Sequence, residues 1–252
     1  MLKENFIQQF EQVTLNAWPA LNEYYMDGWL LRFSNGFTKR ANSVNILYDS
    51  NDDLEYKLKK CEGIYEKMNL RPIFKLTDST HYIKEFLESH DYTPIGKSDV
   101  QLLHISHDDI SFEEKSDSEL VYFEEFNEEW FEIFCNMKNL NLEQRSTAKK
   151  MFEKMLNESL YIILKRNENI IGIAMAVFES EFVGVFDLII NEDFRRLGHG
   201  EYIMNFILNY SSERGYRKSY LQVLSDNESA FKLYEKLGYK TVYNYYYMVK
   251  ND

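Results

Sequence analysis

Asp187-Leu188-Ile189-Ile190-Asn191-Glu192-Asp193-Phe194-Arg195-Arg196-Leu197-Gly198-His199-Gly200 reads as an apolar strand, a turn, and two glycines that open an amphipathic helix. Such a junction suits an anion. Gly198 and Gly200 have no β-carbon to hold a ligand off the main chain, and the first N–H groups of the helix are unpaired at the positive end of its dipole. Arg195 and Arg196 add full charges beside them, and a pyrophosphate is the natural guest. A dinucleotide fingerprint would need a third glycine where Ile203 stands, and Gly96-Lys97-Ser98 lacks the glycine five positions earlier that a P-loop needs.

Working outward, the helix runs from Gly200 to Arg214, and a strand from Ser219 to Leu224 follows it. A helix from Asn227 to Leu237 and a last strand from Tyr243 to Val249 complete the C-terminal part. Upstream, Leu160 to Arg166 and Ile170 to Phe178 form a hairpin around Asn167-Glu168-Asn169, and Val183 to Ile190 is a third strand. Two helices, Glu128 to Asn139 and Gln144 to Asn157, precede them. Before that lies an acidic stretch, His107 to Glu129, with ten acids against one base. It reads as a solvated linker or helix face, and it sets the domain boundary near Ser116.

The first part holds a helix from Asn5 to Leu15, strands Gly28 to Phe33 and Ala41 to Leu47 joined through Ser34-Asn35-Gly36, and a helix from Leu54 to Met68. A strand from Pro72 to Leu76, a helix from Ser79 to Ser89 and a strand from Val100 to Ile105 finish it. Cys61 falls on the apolar stripe of its helix. Phe86-Leu87-Glu88-Ser89-His90-Asp91-Tyr92 echoes Leu233-Tyr234-Glu235-Lys236-Leu237-Gly238-Tyr239, each followed by a strand, which points to two related halves. The fold class is α+β, a mixed and mostly antiparallel sheet flanked by helices, with residues 1–115 and 116–252 as its domains.

All 252 residues, 44% of them hydrophobic, fit a folded chain. The net charge of -12 opposes contact with phosphate backbones or anionic lipid, so neither nucleic acid nor membrane is an expected partner. No secretory signal or spanning segment is evident, and two cysteines outside any CxxC motif fit a reducing cytoplasm. The five histidines have no metal-ligand spacing.

Arg195-x-x-Gly198-x-Gly200 on its strand-loop-helix unit resembles motif A of the GNAT superfamily of acyl-CoA-dependent N-acetyltransferases. The segment from Asn227 to Tyr239 is similar to the second characteristic segment of that family. Asp27 to Phe33 and Arg40 to Asn45 resemble the N-terminal region of a two-part subgroup, in which the first half lacks the coenzyme motif. The resemblance implies acetyl-CoA as cosubstrate, without a metal. It implies that Leu188, Ile189 and Ile190 line the pantetheine through their main chain, that Arg195, Arg196, Leu197, Gly198, His199 and Gly200 bind the pyrophosphate, and that Asn227 and Ala230 touch the coenzyme. His199 would serve only through its N–H.

Direct attack by an amine on a thioester needs a neutral nucleophile, a donor for the oxyanion and a proton for the departing thiolate. Tyr234, one turn beyond Ala230, is the candidate acid. Asp187 is the candidate base, although strand alternation turns it away from the face of Leu188 and Ile190 and leaves a water relay as the alternative. The acceptor is an amine, either a small molecule or a peptide or protein. The tyrosine-rich strand Tyr243 to Tyr247 either lines an acceptor site or pairs at a homodimer edge. A non-catalytic acyl-CoA sensor or scaffold is the competing reading.

Overall fold

The computed structural model describes residues 2–49, 52–106 and 112–251. The chain forms two compact units. One comprises Met1–Asp99, Ser146–Met155 and Tyr243–Asp252, the other Val100–Arg145 and Leu156–Val242. The boundary expected near Ser116 falls inside the second unit, and residues 107–111 of the acidic stretch lie outside the described residues.

In the first unit, helix α1 (Leu2–Ala17) precedes strands β1 (Asn22–Met26), β2 (Trp29–Phe33) and β3 (Val44–Ile46). Helix α2 (Leu54–Lys67), β4 (Ile73–Thr77) and α3 (Lys84–Glu88) follow. The strand order is β1-β2-β3-β4-β11, where β11 is Lys240–Lys250. Only the β3–β4 pair is parallel within this set. The sequence reading missed β1 and placed Gly28 in a strand. Asp27 and Gly28 instead form a two-residue hairpin turn, both with positive φ (38° and 81°), between Met26 and Trp29.

The distinctive residues of this unit knit its backbone together. Buried Arg32 donates to Glu23 and to the carbonyls of Leu15, Trp18 and Arg40. The Asn42 side chain accepts from the Ser34 and Gly36 amides and donates to the Thr38 carbonyl. Cys61 is fully buried beside Leu58 and Tyr65, as its helical stripe predicts.

The second unit begins within β5 (Tyr92–His104), which is longer at its start than the sequence suggested. Strand β6 (Glu119–Phe123) lies inside the acidic stretch that was read as linker or helix face. Its short apolar run, Leu120 to Phe123, is at most half-buried and lies between Glu119 and Glu124, so the surrounding charge hid it. Helices α4 (Glu128–Met137) and α5 (Leu142–Glu153), and strands β7 (Ser159–Arg166), β8 (Asn169–Glu179) and β9 (Phe182–Ile190), come next. Helix α6 (His199–Glu213), β10 (Lys218–Leu224) and α7 (Glu228–Lys236) complete the chain up to β11. The strand order is β5-β10-β9-β8-β7-β6, with β9 and β10 parallel.

Alternation assigns the two faces of this sheet. Leu160, Ile162, Val183 and Val185 join a core with Ile203, Met204 and Ile207 of α6. Tyr161, on the other face, meets the Trp130 ring of α4 at 5.0 Å. Two irregularities then shape β9. Its ladder with β10 runs from Lys218↔Phe182 to Leu221↔Val185 and ends there, so the amides facing β10 beyond Val185 have no ladder partner. Against β8, the register steps from Met175↔Phe186 to Ile173↔Ile189, two residues on one strand for three on the other. The extra residue centres on Asp187, at φ 46°.

Gly184 pairs with Tyr220 in the parallel β9–β10 ladder. A β-carbon there would lie 2.5 Å from the Tyr220 ring and 2.7 Å from that of Phe186. Gly184→Ala is therefore expected to destabilise the protein by about 1–3 kcal/mol, read from the denaturant midpoint.

Candidate functional site

The bulge decides which side chains face the cleft. After Val185, Phe186 and Asp187 both turn to the α4 face, and Leu188 and Ile190 return to the α6 face, where they pack on its core. Past Asn191, the Asn191 side chain accepts from the Asp193 amide and starts a short 3-10 turn. Arg196 and Gly198 then adopt left-handed backbone (φ 61° and 79°), and the chain enters α6 with Gly198 at its N-cap.

The result is a cleft of ≈ 580 Å³ between the end of β9, the start of α6 and α7. It brings together Leu188, Ile189, Ile190, Arg195, Arg196, Gly198, His199, Gly200, Asn227, Ala230 and Tyr234, eleven of the thirteen residues picked from the sequence. Leu197 points to solvent at 58% exposure, and Asp187 is on the opposite face of the sheet; neither lines the cleft. Sequence reasoning missed Phe194, Glu201, Ser229 and Leu233. Leu233 stands three residues after Ala230 on the same helical face, a signal that could have found it.

One end of the cleft is built for negative charge. The amides of His199, Gly200 and Glu201 belong to the first turn of α6, where no intrahelical acceptor exists. Nothing lies within 4 Å of a β-carbon placed on Gly198, so the main chain is open there. Gly200 serves a different purpose, because its β-carbon would sit 3.2 Å from Leu233 and 3.8 Å from Ile190, and its absence lets α7 and β9 close on α6. Arg196 is exposed and makes no ion pair among the described residues. Arg195 donates to the Ile190 carbonyl (3.1 Å) and pairs with Glu192, and Glu201 is balanced by Lys236 at 2.6 Å.

The other parts are apolar or amide-rich. Leu188, Ile190, Ala230 and Leu233 supply apolar walls, and the divergent edge of β9 supplies main-chain N–H and C=O groups. Asn227 caps α7, its side-chain oxygen accepting from the Ala230 amide at 3.2 Å. Tyr234 is half-buried, its ring 5.9 Å from Tyr239, and its hydroxyl has no hydrogen-bond partner among the described residues. Burial pushes its phenol up to about 12, so it stays a proton donor across the neutral range. These features fit an elongated ligand with a diphosphate at one end and an amide-bearing arm.

His199 contributes differently from its neighbours. Its ring is 2% exposed, stands edge-on to Phe194 at 6.4 Å, and finds no hydrogen-bond partner for either nitrogen among the described residues. Burial, and then the positive charges of Lys115 and Arg166, hold its pKa below the ordinary 6.5. It is a neutral packing group that leaves its amide to the cleft. No group of His, Cys, Asp and Glu among the described residues could hold a metal ion, and no helix among them is long and apolar enough to cross a membrane.

Comparison with known proteins gives the family and the fold. Residues 5–248 match the family described as "Probable histone acetyltransferase Rv0428c C-terminal". An uncharacterized N-acetyltransferase of Bacillus subtilis, YobR, is 23% identical over 247 residues, covering 97% of this chain and 98% of its own. A GCN5-related N-acetyltransferase from Kribbella flavida superposes with a TM-score of 0.71 at 10% identity, over 97% of this chain and 95% of that one. A tandem GNAT protein from the clavulanic acid biosynthesis pathway gives a TM-score of 0.71 at 10% identity, over 94% of this chain and 86% of that one. The fold is thus the GNAT fold in its two-part form.

The buried imidazole carries a pH signature. Its folded-state pKa is depressed, so the stability tied to neutral His199 is complete above about pH 6.5 and is lost as the pH falls through the lower folded value. Melting temperatures compared between pH 7 and pH 5 should fall further in the wild type than in His199→Leu.

Proposed function

The chain belongs to the Rv0428c C-terminal acetyltransferase family, and from that premise we propose that it is an N-acetyltransferase moving an acetyl group from acetyl-CoA to a primary amine by direct attack. The observation that carries this reading is the meeting, in one cleft, of a strand edge without a ladder partner and an open, glycine-capped helix start. Bound acetyl-CoA would supply a thioester whose C–S bond is exchanged for an N–C bond, releasing free thiol.

The chain's own residues have separable tasks in this reading. The backbone from Arg195 to Gly200 grips the diphosphate, with Arg196 as the uncommitted charge. Main-chain groups of Leu188 to Ile190 align the pantetheine arm and present an N–H to the thioester oxygen, a donor fixed in place before reaction. Asn227 and Ala230 flank the arm from α7. Tyr234 holds its proton at Oη and donates it toward the leaving sulfur. Because an ordinary thiol titrates near 8.5 and this phenol at about 12, its main contribution is a hydrogen bond to developing sulfur charge. Asp187 lies on the face of the strand opposite the cleft, so the proton of the attacking amine reaches this carboxylate only through the water relay.

The first unit has no Arg-x-x-Gly-x-Gly of its own, which supports a degenerate half that binds no second coenzyme. Cys61 and Cys135 are both free and buried, which supports a cytoplasmic setting. A second reading, a non-catalytic acyl-CoA sensor or scaffold, is favoured by one observation: the sole carboxylate of β9 is already engaged by a lysine.

Release of free thiol from acetyl-CoA across a panel of primary amines separates the two readings. Amine-dependent release is expected, with acetylated amine appearing in equal amount by mass shift. Tyr234→Phe should lower kcat about 100-fold while leaving the Kd for coenzyme A unchanged. Coenzyme binding without thiol release for any amine would instead establish the sensor.

A further inference from the structure

The first unit holds a cavity that the proposed chemistry does not use. Its volume is ≈ 60 Å³, and it lies against α1 at the ends of β3 and β4, with Ile7, Glu11, Asn45, Lys75 and Ser79 among its lining residues. The parallel β3–β4 ladder has two pairs, Val44↔Phe74 and Asn45↔Lys75, and the cavity opens where it stops. The coenzyme cleft likewise opens past the last β9–β10 pair, Leu221↔Val185. A crevice at the carboxyl ends of parallel strands is the usual place for a ligand in an open sheet. The helix after β3 does not repeat the anion site of α6, however. Its first turn is capped by the Asp53 carboxylate, which accepts from the Tyr56 amide at 3.1 Å, and Glu55 adds a second negative charge there.

The cavity is built around a buried ion pair with polar groups beside it. Lys75 is 7% exposed, with Nζ 2.6 Å from Glu11 Oε2 and 4.3 Å from the centre of the Tyr245 ring. The Tyr243 hydroxyl donates to Glu11 Oε1 at 2.7 Å. Two tyrosines of β11 thus hold the pair in place, and of the three N–H groups on the ammonium, one remains beyond those aimed at Glu11 and the ring. Asn45 is 4% exposed. Its amide nitrogen faces the Ser43 carbonyl at 3.0 Å, a group that only accepts, so the amide has one allowed orientation. Oδ1 then points away from Ser43 and has no hydrogen-bond partner among the described residues. Ser79 Oγ stands 2.9 Å from Thr77 Oγ1, which is 3.3 Å from Thr80 Oγ1. Donation from Thr80 to Thr77 to Ser79 uses each hydroxyl once and leaves the Ser79 hydrogen for the cavity.

A lone anion in this space would meet Glu11, and a lone cation would meet Lys75. A molecule that carries both charges meets each with its opposite. We propose that the cavity binds the zwitterion of a small α-amino acid, glycine or alanine, with its carboxylate on Lys75 Nζ and Ser79 Oγ and its ammonium on Asn45 Oδ1 and Glu11. At about 10–15 Å³ for each water-sized group, the space suits a molecule of that size, and Ile7 and Ile46 give its carbon atoms an apolar wall. The site is independent of the acetyltransferase reading, because none of its residues lines the coenzyme cleft.

Backbone amide NMR of the full chain, titrated with glycine and with L-alanine, tests the site. Saturable shifts are expected at Asn45, Ser79 and Thr80. Acetate and methylammonium, each carrying one of the two charges, should bind at least about tenfold more weakly. Ser79 is half-buried, so Ser79→Ala should keep the amide spectrum of β3 and β4 while weakening the tighter amino acid by about tenfold. Lys75→Met should remove the binding altogether; should that variant fail to fold, Ser79→Ala carries the test alone.

No saturable shift at these amides with either amino acid, acetate or methylammonium binding as tightly as the amino acids, or wild-type affinity in Ser79→Ala would overturn the proposal.

Discussion

One extra residue in β9 governs the chemistry of the second unit. Without the bulge at Asp187, strict alternation from Val185 would put Asp187 and Ile189, rather than Leu188 and Ile190, on the α6 face. A charged group would then enter the apolar core, and the cleft would lose its walls. With the bulge, the strand is divided between two tasks. Leu188 and Ile190 pack toward α6, and Asp187 faces α4. The same segment is where β10 departs, so the main chain that the bulge twists is also the main chain left without a sheet partner.

The helix start completes what the strand begins. Gly198 is needed for its left-handed φ of 79° and Gly200 for the close approach of Leu233, two different reasons for two neighbouring glycines. Local charge is arranged with similar economy. Of the acids close in sequence to the helix start, Glu192 and Glu201 are each matched by a base, Arg195 and Lys236. In a protein of net charge -12, this local balance, the amide dipoles and Arg196 keep the mouth receptive to an anion.

Much of this was legible in the sequence because the signals are local. The apolar period of α6, the hairpin β7–β8 and the glycine spacing depend only on near neighbours, and the residues chosen from them meet in one cleft. The echo between the halves also has a physical basis. Asp91 and Gly238 both end a helix with positive φ (66° and 91°), and buried Tyr92 and Tyr239 follow them into strands. What escaped reading lacks an apolar stripe or depends on distant partners. Strand β1 exposes four of its five residues, although the Asp27-Gly28 pair was an available hairpin signal. Strand β6 hides among acids, and the Lys138–Asp187 contact joins residues 49 apart, which no periodicity reports.

The central claim is that the free amides of β9 and of the α6 start form one binding surface for coenzyme A. Backbone amide NMR of the whole chain during a coenzyme A titration tests it most directly. The account predicts that the amides of Leu188 to Ile190 and of Gly198 to Glu201 shift together along a single saturation curve, with α4 little affected. Saturable binding that leaves both groups unmoved, or that shifts only residues outside the cleft, would contradict it.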